Sequence, residues 1–145
     1  MADEAHEQIH VRADPARCFA RASAFEAYPD WTNDVKQATV LERDDEGRGR
    51  RVEYRVAAIG RRVRYVLDYD FTDAPAAFSW TLVEGDMVRA LDGRYGFTAD
   101  GDGTCVDYQL RVDLAIPLPG LIKRRASGLI MSTALKDLKR VVEER

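Results

Sequence analysis

Tyr54, Tyr65, Tyr69, Trp80, Tyr95 and Tyr108 are the side chains best suited to hold or act on a small molecule, because each falls on the apolar parity of an alternating segment. A tyrosine in a solid core must find a partner for its hydroxyl, whereas a cavity offers the ring an apolar contact and the hydroxyl a ligand or water. Singly, each could be an ordinary core or rim residue; together they predict a cavity lining. Arg89 shares the parity of Met87, Leu91, Tyr95 and Phe97, and burying an unpaired guanidinium is costly. An inward Arg89 therefore pairs with Glu84 across the Gly85-Asp86 turn, or meets the carbonyl or anionic end of a ligand. The competing expectation is a bulge beside the hairpin that turns Arg89 to solvent.

Other chemistries find little support. His6 and His10 sit on an outer parity near the N-terminus, and no grouping of Asp, Glu, His and Cys has metal-ligand spacing. No metal and no cofactor is expected. The run Gly47-Arg48-Gly49-Arg50-Arg51 lacks the Lys-Ser/Thr pair of a phosphate loop and opens no helix. Ser23, Ser79, Ser127 and Ser132 have no histidine placed to activate them, which argues against a hydrolase.

A net charge of −3 over 145 residues, 46% of them hydrophobic and 32% charged, describes a globular chain with no pull toward nucleic acid. The acidic start Met1-Ala2-Asp3-Glu4-Ala5-His6-Glu7 is not a signal peptide, and no run of about 18 apolar residues occurs. Cys18 and Cys105 form no C-x-x-C pair and no secreted disulfide framework. A cytoplasmic protein without stable membrane insertion is expected.

The elements that must position the aromatic set can be read from periodicity. A short strand runs from Glu7 to Ala13, and Asp14-Pro15 then starts a helix, since Asp caps a free N–H and Pro has none to lose. Tyr28-Pro29-Asp30-Trp31 should end the helical region, with Pro29 disfavouring the helical conformation at Tyr28 and Trp31 opening the next element. From Val35 the period becomes two. Val52, Tyr54, Val56 and Ala58 oppose Arg51, Glu53 and Arg55, and Val63, Tyr65, Leu67 and Tyr69 oppose Arg62, Arg64 and Asp68. Further strands follow around Phe78–Glu84, Met87–Phe97 and Cys105–Leu114, joined by short turns as in an antiparallel meander. After Pro117 and Pro119 the spacing is helical from Gly120 to Glu144, with Ala126, Leu129, Ile130, Thr133 and Leu138 on the expected packing face. The basic cluster Lys123, Arg124 and Arg125 reads as a solvated face, with anionic lipid contact as the alternative. No repeat or linker divides residues 1–145, so one domain is expected.

This order, the Tyr28-Pro29-Asp30-Trp31 turn, the strand Asp92-Gly93-Arg94-Tyr95-Gly96-Phe97, the segment Gly103-Thr104-Cys105-Val106-Asp107-Tyr108 and the Pro117-Leu118-Pro119-Gly120 helix entry resemble the START/Bet v 1-like superfamily (SRPBCC). The similarity is to its polyketide cyclase/dehydrase and coenzyme Q-binding branch. The resemblance implies an α+β helix-grip fold: a seven-stranded curved antiparallel sheet wrapped around the long C-terminal helix, in β-α-α-β6-α order, with a cavity between them. It also implies Trp31 at the cavity mouth or floor, although a tryptophan clamping the short helices to the sheet is the structural alternative. A function taken from a fold is analogy.

The candidate ligand-binding set is Trp31, Tyr54, Tyr65, Tyr69, Trp80, Met87, Arg89, Tyr95, Tyr108, Leu129, Ile130 and Thr133. The first expectation is binding or carriage of a hydrophobic molecule of lipid, isoprenoid, quinone or polyketide class by a monomer or homodimer, with transient membrane contact open. The second is a polyketide aromatase/cyclase in which Arg89 polarises a carbonyl and Tyr65 or Tyr69 passes a proton. A third is a quinone-binding accessory factor.

Overall fold

Asp14 accepts a 2.8 Å hydrogen bond from the Arg17 backbone N–H and Pro15 takes the first helical turn, so β1 (Asp3–Val11) passes directly into α1 (Pro15–Ala22). The computed structural model describes residues 3–32, 34–58, 61–115 and 120–144. A 3-10 turn at Phe25–Ala27 leads into the single-turn helix α2 (Tyr28–Trp31). Contrary to expectation, Pro29 does not expel Tyr28 from the helical region, because Pro29 lies in the first turn, where its missing N–H satisfies no intrahelical bond anyway. Thr32 ends the turn instead, with its backbone N–H and its hydroxyl both donating to the Tyr28 carbonyl at 2.9 Å. Trp31 therefore closes the helical segment rather than opening a strand.

The six following strands are β2 (Val35–Arg43), β3 (Gly49–Ala58), β4 (Arg61–Asp70), β5 (Ala77–Gly85), β6 (Val88–Asp100) and β7 (Gly103–Leu114). With β1 they form one antiparallel sheet in the order β1-β7-β6-β5-β4-β3-β2. The 25-residue helix α3 (Gly120–Glu144) packs along β1 and β7 and meets α1 and α2. This is the helix-grip architecture that the resemblance implies. Gly60, Pro117 and Pro119, and the side chains of Ala126 and of Lys123, Arg124 and Arg125, lie outside the described residues.

Register follows the alternation of apolar and charged residues. Tyr54 stands opposite Tyr65, and Tyr69 opposite Trp80, all on the concave face. On the other face Arg51 holds Asp68 at 2.6 Å, and Arg64 holds Glu53 at 2.7 Å and Glu84 at 3.0 Å. A slip of one residue would exchange these two sets and bury the charges, so the register is strongly specified. Irregularities in the β2–β3, β4–β5 and β6–β7 pairings bend the sheet. Gly93 permits the curvature to be filled: a Cβ there would lie 2.3 Å from the Trp80 ring, which crosses over it on the concave side.

At one end the concavity is packed solid. Phe19 meets Phe71, Phe78 and Phe97 edge-on, and Phe25 stacks on Tyr69 with ring centroids 4.0 Å apart. From α3, Met131, Leu135, Leu138 and Val142 are fully buried and complete this core.

Candidate functional site

Toward the other end the sheet and α3 separate, leaving a cavity of about 190 Å³. That is far more than the roughly 10–15 Å³ that one water occupies on such a measure, so it is a ligand-sized space and not a packing defect. Tyr54 and Val56 of β3, Tyr65, Leu67 and Tyr69 of β4, Trp80 of β5, Leu91 and Tyr95 of β6, and Tyr108 and Leu110 of β7 supply the sheet wall. Ile130, Thr133, Ala134 and Asp137 of α3 supply the opposite wall, and Tyr28, Trp31, Thr32 and Asp34 close the side nearest α2.

The aromatic wall is continuous. Ring centroids of Tyr95 and Tyr108 are 4.5 Å apart, those of Trp80 and Tyr95 5.5 Å, and those of Tyr69 and Trp80 5.9 Å. Burial holds the phenols of Tyr28, Tyr54, Tyr69, Tyr95 and Tyr108 well above the usual tyrosine range, and that of Tyr65 is raised for the same reason. All are neutral donors at physiological pH. Tyr28 donates to the Ala22 carbonyl, and the Tyr54 and Tyr69 hydroxyls share a hydrogen bond of 2.7 Å. No hydrogen bond joins the hydroxyls of Tyr65, Tyr95 or Tyr108 to another described residue. They can be offered to a bound molecule.

The Tyr54–Tyr69 bond carries a testable consequence. Tyr69→Phe should lower the unfolding free energy by about 1–3 kcal/mol in urea denaturation, because the buried Tyr54 hydroxyl loses its partner. Tyr54→Phe on top of Tyr69→Phe should cost little more, or recover part of the loss; strictly additive losses would show that the two hydroxyls act independently.

The structure brings Trp31, Tyr54, Tyr65, Tyr69, Trp80, Tyr95, Tyr108, Ile130 and Thr133 of the sequence-derived set to the cavity wall. It does not bring Met87, Arg89 or Leu129 there. The β5–β6 turn falls on Asp86 and Met87 instead of Gly85 and Asp86, with Met87 in the left-handed region at φ 58° and 45% exposed. The β6–β7 register then shifts between Val88 and Ala90, so Arg89 is an inserted residue and is exposed. Beyond this bulge the parity is the expected one, and before it Val88, not Arg89, lines the cavity. Glu84 is committed to Arg64 on the outer face. Leu129 is 65% exposed: at 3.6 residues per turn it lies about 170° around the helix from the stripe centred on Met131 and Leu138.

Sequence spacing alone does not single out Asp137, although Ile130, Thr133, Ala134 and Asp137 share the helical periodicity that marks the cavity side of α3. The signal is one acidic residue on an otherwise uncharged flank. Burial raises the Asp137 carboxyl above the usual range; Arg140 beside it pulls the other way and Asp34 pushes with burial. A raised native value means that the unfolded chain gives up this proton first. The group's contribution is therefore fully present below the ordinary value of 3.8 and is lost as pH rises through the raised native value. Asp137→Asn, which cannot ionise, should gain stability over wild type as pH rises from acid to neutral. Denaturation curves at several pH values check this, and a gain that shrinks with rising pH would contradict it.

No curated protein matches the chain at a significant level. Among solved structures, a START superfamily protein from Mycobacterium smegmatis superimposes with a TM-score of 0.89 at 23% identity, covering 97% of each chain. A protein from Thermus thermophilus matches with a TM-score of 0.78 at 24% identity, covering 97% of this chain and 94% of its own. The Zhui aromatase/cyclase from a Streptomyces species matches with a TM-score of 0.80 at 15% identity, covering 99% and 93%. These likenesses concern the fold. The membership rests on the sequence match over residues 3–143: the chain belongs to the family described as polyketide cyclase / dehydrase and lipid transport.

Proposed function

We propose that this chain binds and carries an apolar small molecule in the cavity between the sheet and α3. The observation that carries the reading is the cavity wall itself: aromatic and aliphatic side chains over almost all of it, with the Tyr65, Tyr95 and Tyr108 hydroxyls available among them. Lipid, isoprenoid, quinone and polyketide skeletons all fit that chemistry, and the family's description covers both lipid transport and polyketide chemistry. One continuous sheet and a family match over nearly the whole chain support treating residues 1–145 as one binding domain. Among the described residues no helix is long and apolar enough to cross a membrane.

A second reading, cyclisation or dehydration of a poly-β-keto chain, is favoured by a specific observation: acid–base side chains line the cavity. Asp137 and the neutral phenol of Tyr65 both line it and could move protons to and from a bound substrate. Arg89 has no part in this version, and Tyr69 is engaged with Tyr54.

Native mass spectrometry with organic extraction of the purified protein tests the proposal. A stoichiometric apolar molecule retained through purification, or taken up from a panel of lipids, quinones and aromatic polyketides, is expected. A protein that retains nothing and takes up nothing would overturn it. Conversion of a bound poly-β-keto analogue to a ring product would move the assignment to the second reading.

A further inference from the structure

Two buried polar atoms in the cavity wall have no hydrogen-bond partner among the described residues: the indole Nε1 of Trp31 and Oδ2 of Asp137. Leaving either unsatisfied carries the full cost of taking a polar group out of water, so each such atom in a native fold calls for an explanation. The remaining polar atoms around them are engaged. The Trp31 carbonyl accepts from Arg140 Nη2 at 2.7 Å, and Asp137 Oδ1 lies 3.8 Å from the same guanidinium nitrogen. Arg140 thus ties the end of α2 to α3, and in two residues that line the cavity the indole N–H and Oδ2 are left without a partner among the described residues. Trp31 is only 7% exposed, so its N–H has little access to bulk water.

Taking the cavity as a ligand site, as above, we infer that Trp31 and Asp137 form its polar end and select a neutral ligand bearing a hydroxyl, an alcohol, phenol or enol, over a carboxylate. A hydroxyl is the smallest group that accepts from the indole N–H and donates to a carboxyl oxygen at once. An anion meets the opposite of what it needs. Asp34 and Asp137 both line the cavity, and among the described residues no Lys or Arg does. Arg140 is held at the rim by the Trp31 carbonyl and Asp137, with half its side chain in solvent. This reverses the charge expected of a cavity with Arg89 inside.

The test uses three molecules with one ring body and different ends: naphthalene, 2-naphthol and 2-naphthoate, each titrated into the full chain and followed by NMR. The expected result is 2-naphthol binding about tenfold tighter than naphthalene, as one well-placed pair of hydrogen bonds would give, with 2-naphthoate weakest. The indole N–H resonance of Trp31 should move with 2-naphthol and stay with naphthalene. Trp31→Phe and Asp137→Leu should each abolish the preference, leaving 2-naphthol and naphthalene with equal affinity for the variant, whose dispersed NMR spectrum certifies the fold. Should either variant not fold, the wild-type ratio and the Trp31 resonance decide. Equal affinity for naphthalene and 2-naphthol in wild type, or a preference that survives both substitutions, overturns the polar end but leaves the cavity reading standing. Failure of all three molecules to bind overturns both.

Discussion

Leu138→Ala should lower the unfolding free energy by about 2–5 kcal/mol, while Leu129→Ala, on the same helix, should change it by no more than about 0.5 kcal/mol. Leu138 has no exposed surface and sits among Met131, Leu135 and Val142 in the core that joins α3 to the sheet. Removing its side chain forfeits the transfer free energy of the buried methyl groups and leaves a hole that the rigid strands cannot close. Leu129 is 65% exposed and has little burial to lose. Urea denaturation of the two variants reads the helix rotation directly. A large loss at Leu129 with a small one at Leu138 would mean that α3 presents the opposite face to the sheet.

The second large effect is on binding. Ala134 lines the cavity and packs partly against the core, so Ala134→Phe should place a ring in the space a ligand would take. Affinity for the neutral fluorophore N-phenyl-1-naphthylamine should fall by at least about tenfold, equivalent to about 1.4 kcal/mol. Overpacking should cost about 1–3 kcal/mol of stability at the same time, which a folded domain can bear. Arg89→Met is the matched control. Its side chain is exposed on the β6 bulge, and removing it should leave probe affinity unchanged. Equal affinity in wild type and Ala134→Phe would place the probe elsewhere on the protein; a loss with Arg89→Met would restore that arginine to the site.

The fold was legible because its signals are periodic and mutually reinforcing. In β3 and β4 Val52, Tyr54, Val63 and Tyr69 each stand between two charged residues, so only one register keeps Arg51, Arg55, Arg64 and Asp68 in water, and the structure adopts it. The bounds of α3 follow from the helix-breaking prolines before it and the apolar spacing after it. The site was legible wherever strand parity alone decides, as for Tyr54, Tyr65, Tyr95 and Tyr108. It failed where one inserted residue resets the parity. Nothing in Gly85-Asp86-Met87-Val88-Arg89 marks which of the possible turns forms, and the choice of Asp86-Met87 with a bulge at Arg89 rests on tertiary pairing with Leu114 and Asp113 of β7. A hairpin shifted by one residue therefore removed the expected cationic anchor. The breadth of the apolar stripe on α3 had a similar effect: it admitted Leu129 while hiding Asp137, whose placement in the wall needs the helix to be fixed against the sheet.

The central claim is that the space between the sheet and α3 is where an apolar molecule resides, and the structure of the N-phenyl-1-naphthylamine complex tests it most directly. Probe density is expected against the rings of Trp80, Tyr95 and Tyr108 on one side and Ile130 on the other, with α3 in place over it. Density on the outer face of the sheet, or a cavity closed by collapsed tyrosines while the probe binds elsewhere, would contradict it.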